Sequence, residues 1–423
     1  MALRTAPHLL RSALPRPDRS NVGLWAVAAG HALNHAATAS FGLLLPYIAR
    51  DLGLSFSQVG LLLSARQVMS IVVNLPAGAV ADVLGRRDLL MTASLLLTLV
   101  PYLAIVFSRS FPVMVAAMAV VGVAMFLWHP AAITALSARY PDRRGYGLAL
   151  HELGANVGEV VAPLAAGLLV GMLAWRGVLS ATVALGLPLA LALLGVLRRT
   201  QVGASGDRPA RTAREYAGGL AALVRNARFM ALAGISGIRS LTQQGLSTFL
   251  PLYLVYTLHV PAALLGLYMT LVQVSGMVAT PLAGTLADRL GPKRVATAGM
   301  LTTSLVVLAV AALGSGPLFV AVLALLGFFV YSMRPAIFRW ALGVVPRAYE
   351  GTTVGALFTA QAACATLAPL AGGVIADRYG LPSVFYAIAA TVLVANAAVA
   401  AVPDLCRPNG AGGARAAYRR AGS

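Results

Sequence analysis

Stretches of about 20 residues without a charged side chain recur along the chain, and no other feature constrains its fold as tightly. Residues 89–108 (LLMTASLLLTLVPYLAIVFS) and 178–197 (VLSATVALGLPLALALLGVL) are two of them. A helix of that length crosses the ~30 Å hydrocarbon core of a bilayer. In lipid every backbone amide and carbonyl needs a partner inside the protein, which leaves only helices and closed barrels. The runs lack the strict alternation of a barrel strand, so an all-α, polytopic membrane protein is expected. Only 11% of the 423 residues are charged, against about 25% in a soluble domain.

Breaks of Gly, Pro and charge divide the chain into twelve expected spans, near 23–48, 57–81, 89–108, 112–137, 146–172, 177–197, 229–257, 262–287, 294–313, 316–340, 352–375 and 382–402. The expected organisation is an N-terminal arm 1–22, a six-helix bundle 23–197, a polar linker 198–228, a second six-helix bundle 229–402 and a tail 403–423. The arm is rich in Arg, broken by Pro and without an apolar core ahead of a cleavage site. It reads as a disordered cytoplasmic arm, not a signal peptide.

The net charge of +19 is distributed by topology. With the N-terminus on one side, the tails and even-numbered connections hold 24 of the 32 Lys and Arg residues, and the opposite side holds 4: Arg50, Arg109, Arg176 and Arg378. Basic residues collect on the cytoplasmic side, so both termini are expected in the cytoplasm. This excess suits an anionic inner leaflet and calls for no nucleic-acid partner. Cys364 and Cys406 have no metal or redox spacing. No phosphate-binding loop and no Ser/His/Asp set is discernible, and the connections are too short for a soluble catalytic domain. Neither an enzyme nor a cofactor is expected.

The halves repeat at an offset of 205 or 206 residues. "LPAGAVADVLGRRDLL" (75–90) matches "PLAGTLADRLGPKRVA" (281–296), aligning Gly78 with Gly284, Asp82 with Asp288 and Gly85 with Gly291. Pro46 pairs with Pro251, Gly60 with Gly266, Gln67 with Gln273, Pro163 with Pro369, and the dipeptide His129–Pro130 with Arg334–Pro335. Six spans were duplicated, an arrangement in which substrate sites lie between the repeats. Each proline can kink its helix beside a polar group at matching depth. Asp82 and Asp288 stand at helix ends, ahead of a Gly and a basic pair (Arg86 and Arg87; Lys293 and Arg294). Each carboxylate can pair with a basic neighbour or cap an adjoining helix, so the two motifs are expected to act as gates.

The stretch from Gly78 to Arg87 and its copy from Gly284 to Arg294 resemble G-x-L-A-D-R-x-G-R-K, the signature of the major facilitator superfamily. Val80 and Val83 depart from it in the first copy, and Pro292 does in the second. The resemblance implies two pseudo-symmetric six-helix bundles that rock about a central site. Within that family, "GHALNH" (30–35), "HPAAITALSARYPDRRG" (129–145) and a fifth span with Gly158, Pro163 and Gly167 resemble the fosmidomycin-resistance type of efflux protein. His35 stands where that type's first helix would carry an acidic residue. The pattern of 154–167, with Ala162 and Ala166 in place of Gly, resembles that of the family's proton-driven exporters and favours export.

Ionisable groups inside hydrocarbon generally face protein or a wet path. The third, sixth, ninth and twelfth spans carry none in their interiors and are expected to face lipid. Candidate cavity residues come from the others: His31, Asn34, Arg66, Gln67, His129, His151, Asn156, Arg239, Gln243, Gln273 and Arg334. Glu152, Asn156 and Glu159 share one helix face, as do His31 and His35. A carboxylate buried among helices is a candidate to take up and release a proton, so Glu159, His35 and Glu152 are the proton-coupling candidates. For His31, His35 and His129 interhelical hydrogen bonding stays open beside a role in the cavity, and for Glu159 so does pairing with Arg66, Arg239 or Arg334. His and Glu together could ligate a divalent metal, but no local motif ties them together and no metal is expected.

The function expected is proton-coupled efflux of a small organic molecule, a drug or metabolite of anionic or zwitterionic character, by alternating access. The chain would act as a monomer in a bacterial inner membrane, with the substrate, protons and the bilayer as partners. Proton-coupled uptake of an organic anion is the alternative, and a non-transporting membrane sensor is the alternative of another class.

Overall fold

A computed structural model of the chain describes residues 21–84, 86–140, 143–202, 213–314, 316–345 and 350–401. Its elements are α1 (Val22–Leu52), α2 (Phe56–Leu84), α3 (Arg87–Phe107), α4 (Phe111–Arg139), α5 (Arg144–Thr200), α6 (Ala213–Val224), α7 (Ala227–Tyr256), α8 (Ala262–Leu290), α9 (Pro292–Leu313), α10 (Pro317–Gly343), α11 (Glu350–Tyr379) and α12 (Leu381–Ala401). The α5 element is two limbs, 144–173 and 175–200, joined where Ala174 leaves helical geometry at φ 52° and ψ 173°. With its limbs counted separately and the linker helix α6 set aside, twelve segments are disposed to cross the membrane.

Local chemistry sets the helix ends. Prolines stand in the first turns of α4, α9 and α10, where the missing N–H costs nothing. Gly53, at φ 63°, stops α1 and returns its N–H to the Ala49 carbonyl, as a left-handed C-cap does. Asn226 starts α7 by accepting from the N–H groups of Arg228 and Phe229 at 3.1 and 3.2 Å. The linker, expected as a polar connection, contains α6, which packs on α7 and α11.

Among the described residues nine helices are apolar and long enough to cross a membrane. Two other long helices, α1 and α7, fall outside that set. They are equivalents in the repeat and carry His31, His35, Gln243 and Gln244, so hydropathy alone undercounts the crossings that carry such polar groups.

The halves meet along two symmetric crossings, α2 with α11 and α5 with α8. A Cβ on Gly60 would collide with the Pro369 carbonyl oxygen, and one on Gly266 with that of Pro163. Ser64 Oγ donates to the Thr366 carbonyl at 2.8 Å, and Thr270 Oγ1 donates to that of Val160 at 2.9 Å. Each residue of one crossing is the repeat equivalent of one in the other. Small residues four apart permit this backbone approach, and the hydroxyls add interhelical bonds.

The arginine-poor end is sealed. Asp377 on α11 accepts from the N–H groups of Phe56 and Ser57, at the start of α2, at 2.9 and 2.8 Å. Tyr256 donates to the Pro46 carbonyl at 3.3 Å, and the Arg50 guanidinium lies 5.1 Å from the Tyr256 ring centre. Toward the arginine-rich end Val68 and Val72 on α2 and Phe358 on α11 are exposed.

Candidate functional site

A cavity of about 240 Å³ lies between the halves. Its lining comes from α1, α2, the first limb of α5, α7, α8 and α10, with none from α3, α9, α12 or the second limb of α5. The charged residues in its wall are Arg66 and Glu159. Gln243, Gln244, Gln273, Thr38 and Tyr331 add polar groups, and Phe41, Leu246 and Met269 are among the apolar ones.

Glu159 links the two halves. Its Oε1 lies 2.8 Å from His35 Nδ1 on α1, and its Oε2 accepts from Gln273 Nε2 on α8 at 2.9 Å. The Tyr331 hydroxyl on α10 donates in turn to Gln273 Oε1. The carboxylate is about one-third exposed and His35 less so, so the pair sits at a wet boundary. Removing the carboxylate's charge would weaken both arms of this link, because charge-assisted hydrogen bonds are roughly twice as strong as neutral ones.

On the arginine-rich side of Glu159, inside the first half, the fold gathers four histidines. His31 stacks on His151 with ring centroids 3.8 Å apart, and meets His35 and His129 edge-on at 4.6 and 5.1 Å. Trp128 Nε1 donates to His151 Nε2 at 3.0 Å. Gly154 and Gly158 bring α5 against the α1 carbonyls of Ala28 and Ala32, which is why residues 120 positions apart touch here.

The other sequence candidates are placed differently. Asn34 is buried in a bond network with Ser94 and Thr98 of α3 at 3.2 and 3.0 Å, away from the cavity. Glu152 is exposed, with its carboxylate 3.8 Å from His151 Nδ1. Gln67 and Asn156 are half-buried on α2 and α5. Arg239 is buried and donates to Gln243 on its own helix at 2.7 Å and to Gln361 of α11 at 3.3 Å. Arg334 is exposed and lies over the rings of Phe338 and Phe358 at 5.9 and 5.6 Å. None of the pairings of Glu159 with Arg66, Arg239 or Arg334 forms; His35 and Gln273 take those places.

Of the gating motifs, Gly85 lies outside the described residues, as do the Asp82 side chain and the surroundings of Gly78. Arg86 pairs with Asp88 at 3.1 Å, and Asp88 also meets Arg198 at 3.4 Å, while Arg87 is buried. In the second copy Asp288 pairs with Arg339 of α10, inside its own half. Gly291, at φ 91°, makes the turn into α9, and Lys293 and Arg294 follow in the first turn of that helix. Sequence reasoning missed Tyr331, Gln361 and Asp377. Tyr331 carried a faint signal, a hydroxyl beside Ser332 in an otherwise apolar run three residues before Arg334.

The Major Facilitator Superfamily family model matches residues 27–255 and 232–413. The chain belongs to the major facilitator superfamily. It is a multi-pass membrane transporter, not an enzyme. It is 24% identical over 369 residues to the uncharacterized MFS-type transporter YfnC of Bacillus subtilis (strain 168), covering 85% of this chain and 87% of that one. It is 26% identical over 355 residues to the multidrug efflux pump Tap of Mycolicibacterium fortuitum, covering 79% and 84%. A shorter match, 36% identical over 132 residues, covers 30% of this chain and 32% of the multidrug resistance protein MdtG of Citrobacter koseri (strain ATCC BAA-895 / CDC 4225-83 / SGSC4696). Among solved structures, the inward-facing, unoccupied bacterial homologue of the human lysosomal transporter Spinster superposes with a TM-score of 0.81 at 17% identity, over 92% of this chain and 98% of that one. The nucleoside transporter NupG superposes with a TM-score of 0.72 at 14% identity, over 90% and 98%. These two likenesses concern the fold.

Proposed function

We propose that this transporter exports a small organic molecule, a drug or metabolite, in exchange for protons. It would work by alternating access, as a monomer in a bacterial inner membrane with both termini in the cytoplasm. The observation that carries the reading is Glu159, a cavity carboxylate bonded at once to His35 in one half and Gln273 in the other. A proton arriving on Glu159 would loosen the tie between the halves, and its loss would restore it. The sealed arginine-poor end supports reading this as a cytoplasm-open state under the basic-residue rule.

An anionic or zwitterionic substrate is favoured by the wall. Glu159 is already engaged, whereas Arg66 has a buried Nε with no partner. The cavity's 240 Å³ is close to the lower end of ligand-pocket volumes, about 300 Å³. The similarity to Tap and MdtG supports the direction.

The test is flux of a panel of antibiotics and organic acids in everted membrane vesicles with an imposed acid interior. Wild type should accumulate a substrate while the gradient lasts, and Glu159→Gln should abolish the gradient-driven part and leave equilibrative exchange. Gradient-driven accumulation that survives Glu159→Gln removes Glu159 from coupling. Uptake into right-side-out vesicles along an inward proton gradient would make the protein an importer. Substrate binding without flux would make it a sensor.

A further inference from the structure

The histidines on the arginine-rich side of Glu159 are arranged in more detail than a hydrogen-bond network needs. One ring nitrogen from each of His31, His35 and His129 lies within 4.8 Å of the other two. The Nδ1 of each ring is already engaged. His31 Nδ1 meets the His151 carbonyl at 2.8 Å, His129 Nδ1 meets the Met125 carbonyl at 3.1 Å, and His35 Nδ1 meets the Glu159 carboxylate at 2.8 Å. A carbonyl or carboxylate oxygen only accepts, so each Nδ1 carries the hydrogen, and a ring in its neutral form presents a bare Nε2 lone pair.

The Nε2 atoms of His31 and His35 are buried without any hydrogen-bond partner, and His31 is 1% exposed. Leaving a buried acceptor unpaired costs about 1–3 kcal/mol. Metal-ligating histidines show the same arrangement: one ring nitrogen held by a carbonyl or carboxylate, the other directed at the ion. His151 is not a fourth ligand. Its Nε2 accepts the Trp128 N–H, and its ring braces His31 from the side.

We propose that His31, His35 and His129 form a three-imidazole site for one divalent d-block cation, zinc first, in the first half of the transporter. Imidazole suits zinc, copper, nickel and iron. Zinc–nitrogen bonds of about 2.0–2.1 Å set tetrahedral ligands roughly 3.4 Å apart, so nitrogens up to 4.8 Å apart must close by up to about 1.4 Å. The fourth position stays open to water or a substrate donor atom. A bound cation would cross-link α1 and α4, and Glu159 would join the ion's outer shell through His35. The site is independent of the direction of transport.

The test uses the purified full-length protein in detergent, with any affinity tag removed, titrated with Co²⁺ alone and then with Zn²⁺. Wild type should bind one equivalent of Co²⁺ with the visible absorption of a four-coordinate centre, and Zn²⁺ should bleach it. His31→Ala and His129→Ala should each weaken Zn²⁺ binding by roughly 100-fold or more, and Glu159→Gln by roughly 10-fold, within the range for outer-shell partners. His259→Ala, outside the cluster, should change nothing. X-ray absorption of Zn²⁺-loaded wild type should show three imidazole ligands, and this keeps the proposal testable if a variant fails to fold. Absence of stoichiometric binding, binding undiminished in both alanine variants, or a zinc spectrum without imidazole scattering would overturn it.

Discussion

Arg239 is a charge that the fold buries among neutral partners, with its Nε left unpaired. Its guanidinium donates to Gln243 and Gln361, and Gln361 Nε2 donates on to Ser236 at 2.7 Å. The network ties α7 to α11 inside the second half. Arg239→Ala would leave two amide oxygens short of a donor, and each loss costs about 1–3 kcal/mol. The variant should therefore unfold at lower temperature in detergent, and Arg239→Met should do the same. Gln361→Ala in either background should add little, because the partners act as one unit; strict additivity would refute the network. The arginine was legible in the sequence as a charge inside an apolar run. Gln361 was not, because 122 residues separate the pair and nothing local ties one to the other. His129 is the same case: beside Pro130 it reads as a kink with a polar group, and only folding brings it to His31 and His35.

At the scale of elements, the repeat predicted more than it specified. Gly60, Gly266, Pro163 and Pro369 were visible as equivalent positions, yet that Gly60 of one half lies on Pro369 of the other required the docking of the bundles. Within each half, likewise, Gly122 sits on the Arg66 carbonyl and Gly327 on that of Val272, again repeat equivalents. The inter-half crossings are open to direct test. Gly60→Val and Gly266→Val each insert a side chain into a backbone contact that has no room for a Cβ. Each should hold the arginine-poor end apart. Spin labels at Gln58 and Tyr379 would report a distance longer by several ångströms than in the wild-type background, with the helical content unchanged. Gly284→Val, at a glycine whose Cβ position meets nothing, should leave that distance as it is. An unchanged distance in the Gly60 variant would mean that the crossing does not seal the end.

For the molecule as a whole, the twelve-span architecture was legible because bilayer thickness converts composition into helix count almost directly. The cavity wall draws nothing from the spans that lack ionisable groups, and nothing from α4 or α11 either. What sequence could not supply was which end is shut. Asp377 supplies much of that, and it reads in sequence as an ordinary charge at a helix end. In the fold its two oxygens cap the start of α2 across the halves, where the helix dipole favours a negative group. A single cysteine at Ser247, which lines the cavity, tests the consequence once Cys364 and Cys406 are replaced. In the proposed orientation an impermeant thiol reagent should label it quickly in everted vesicles and slowly in right-side-out ones. Adding Asp377→Ala removes the cap, worth roughly 0.5–2 kcal/mol, and Tyr256→Phe removes the bond to Pro46. Together they should raise the right-side-out labelling rate by about 2- to 30-fold if the cap's contribution appears wholly in that equilibrium, while the everted rate falls slightly. Fast labelling from the right-side-out face in the parent would place the arginine-poor end in the cytoplasm and reverse the orientation. An unchanged rate in the double variant would move the seal from Asp377 to the glycine crossings alone.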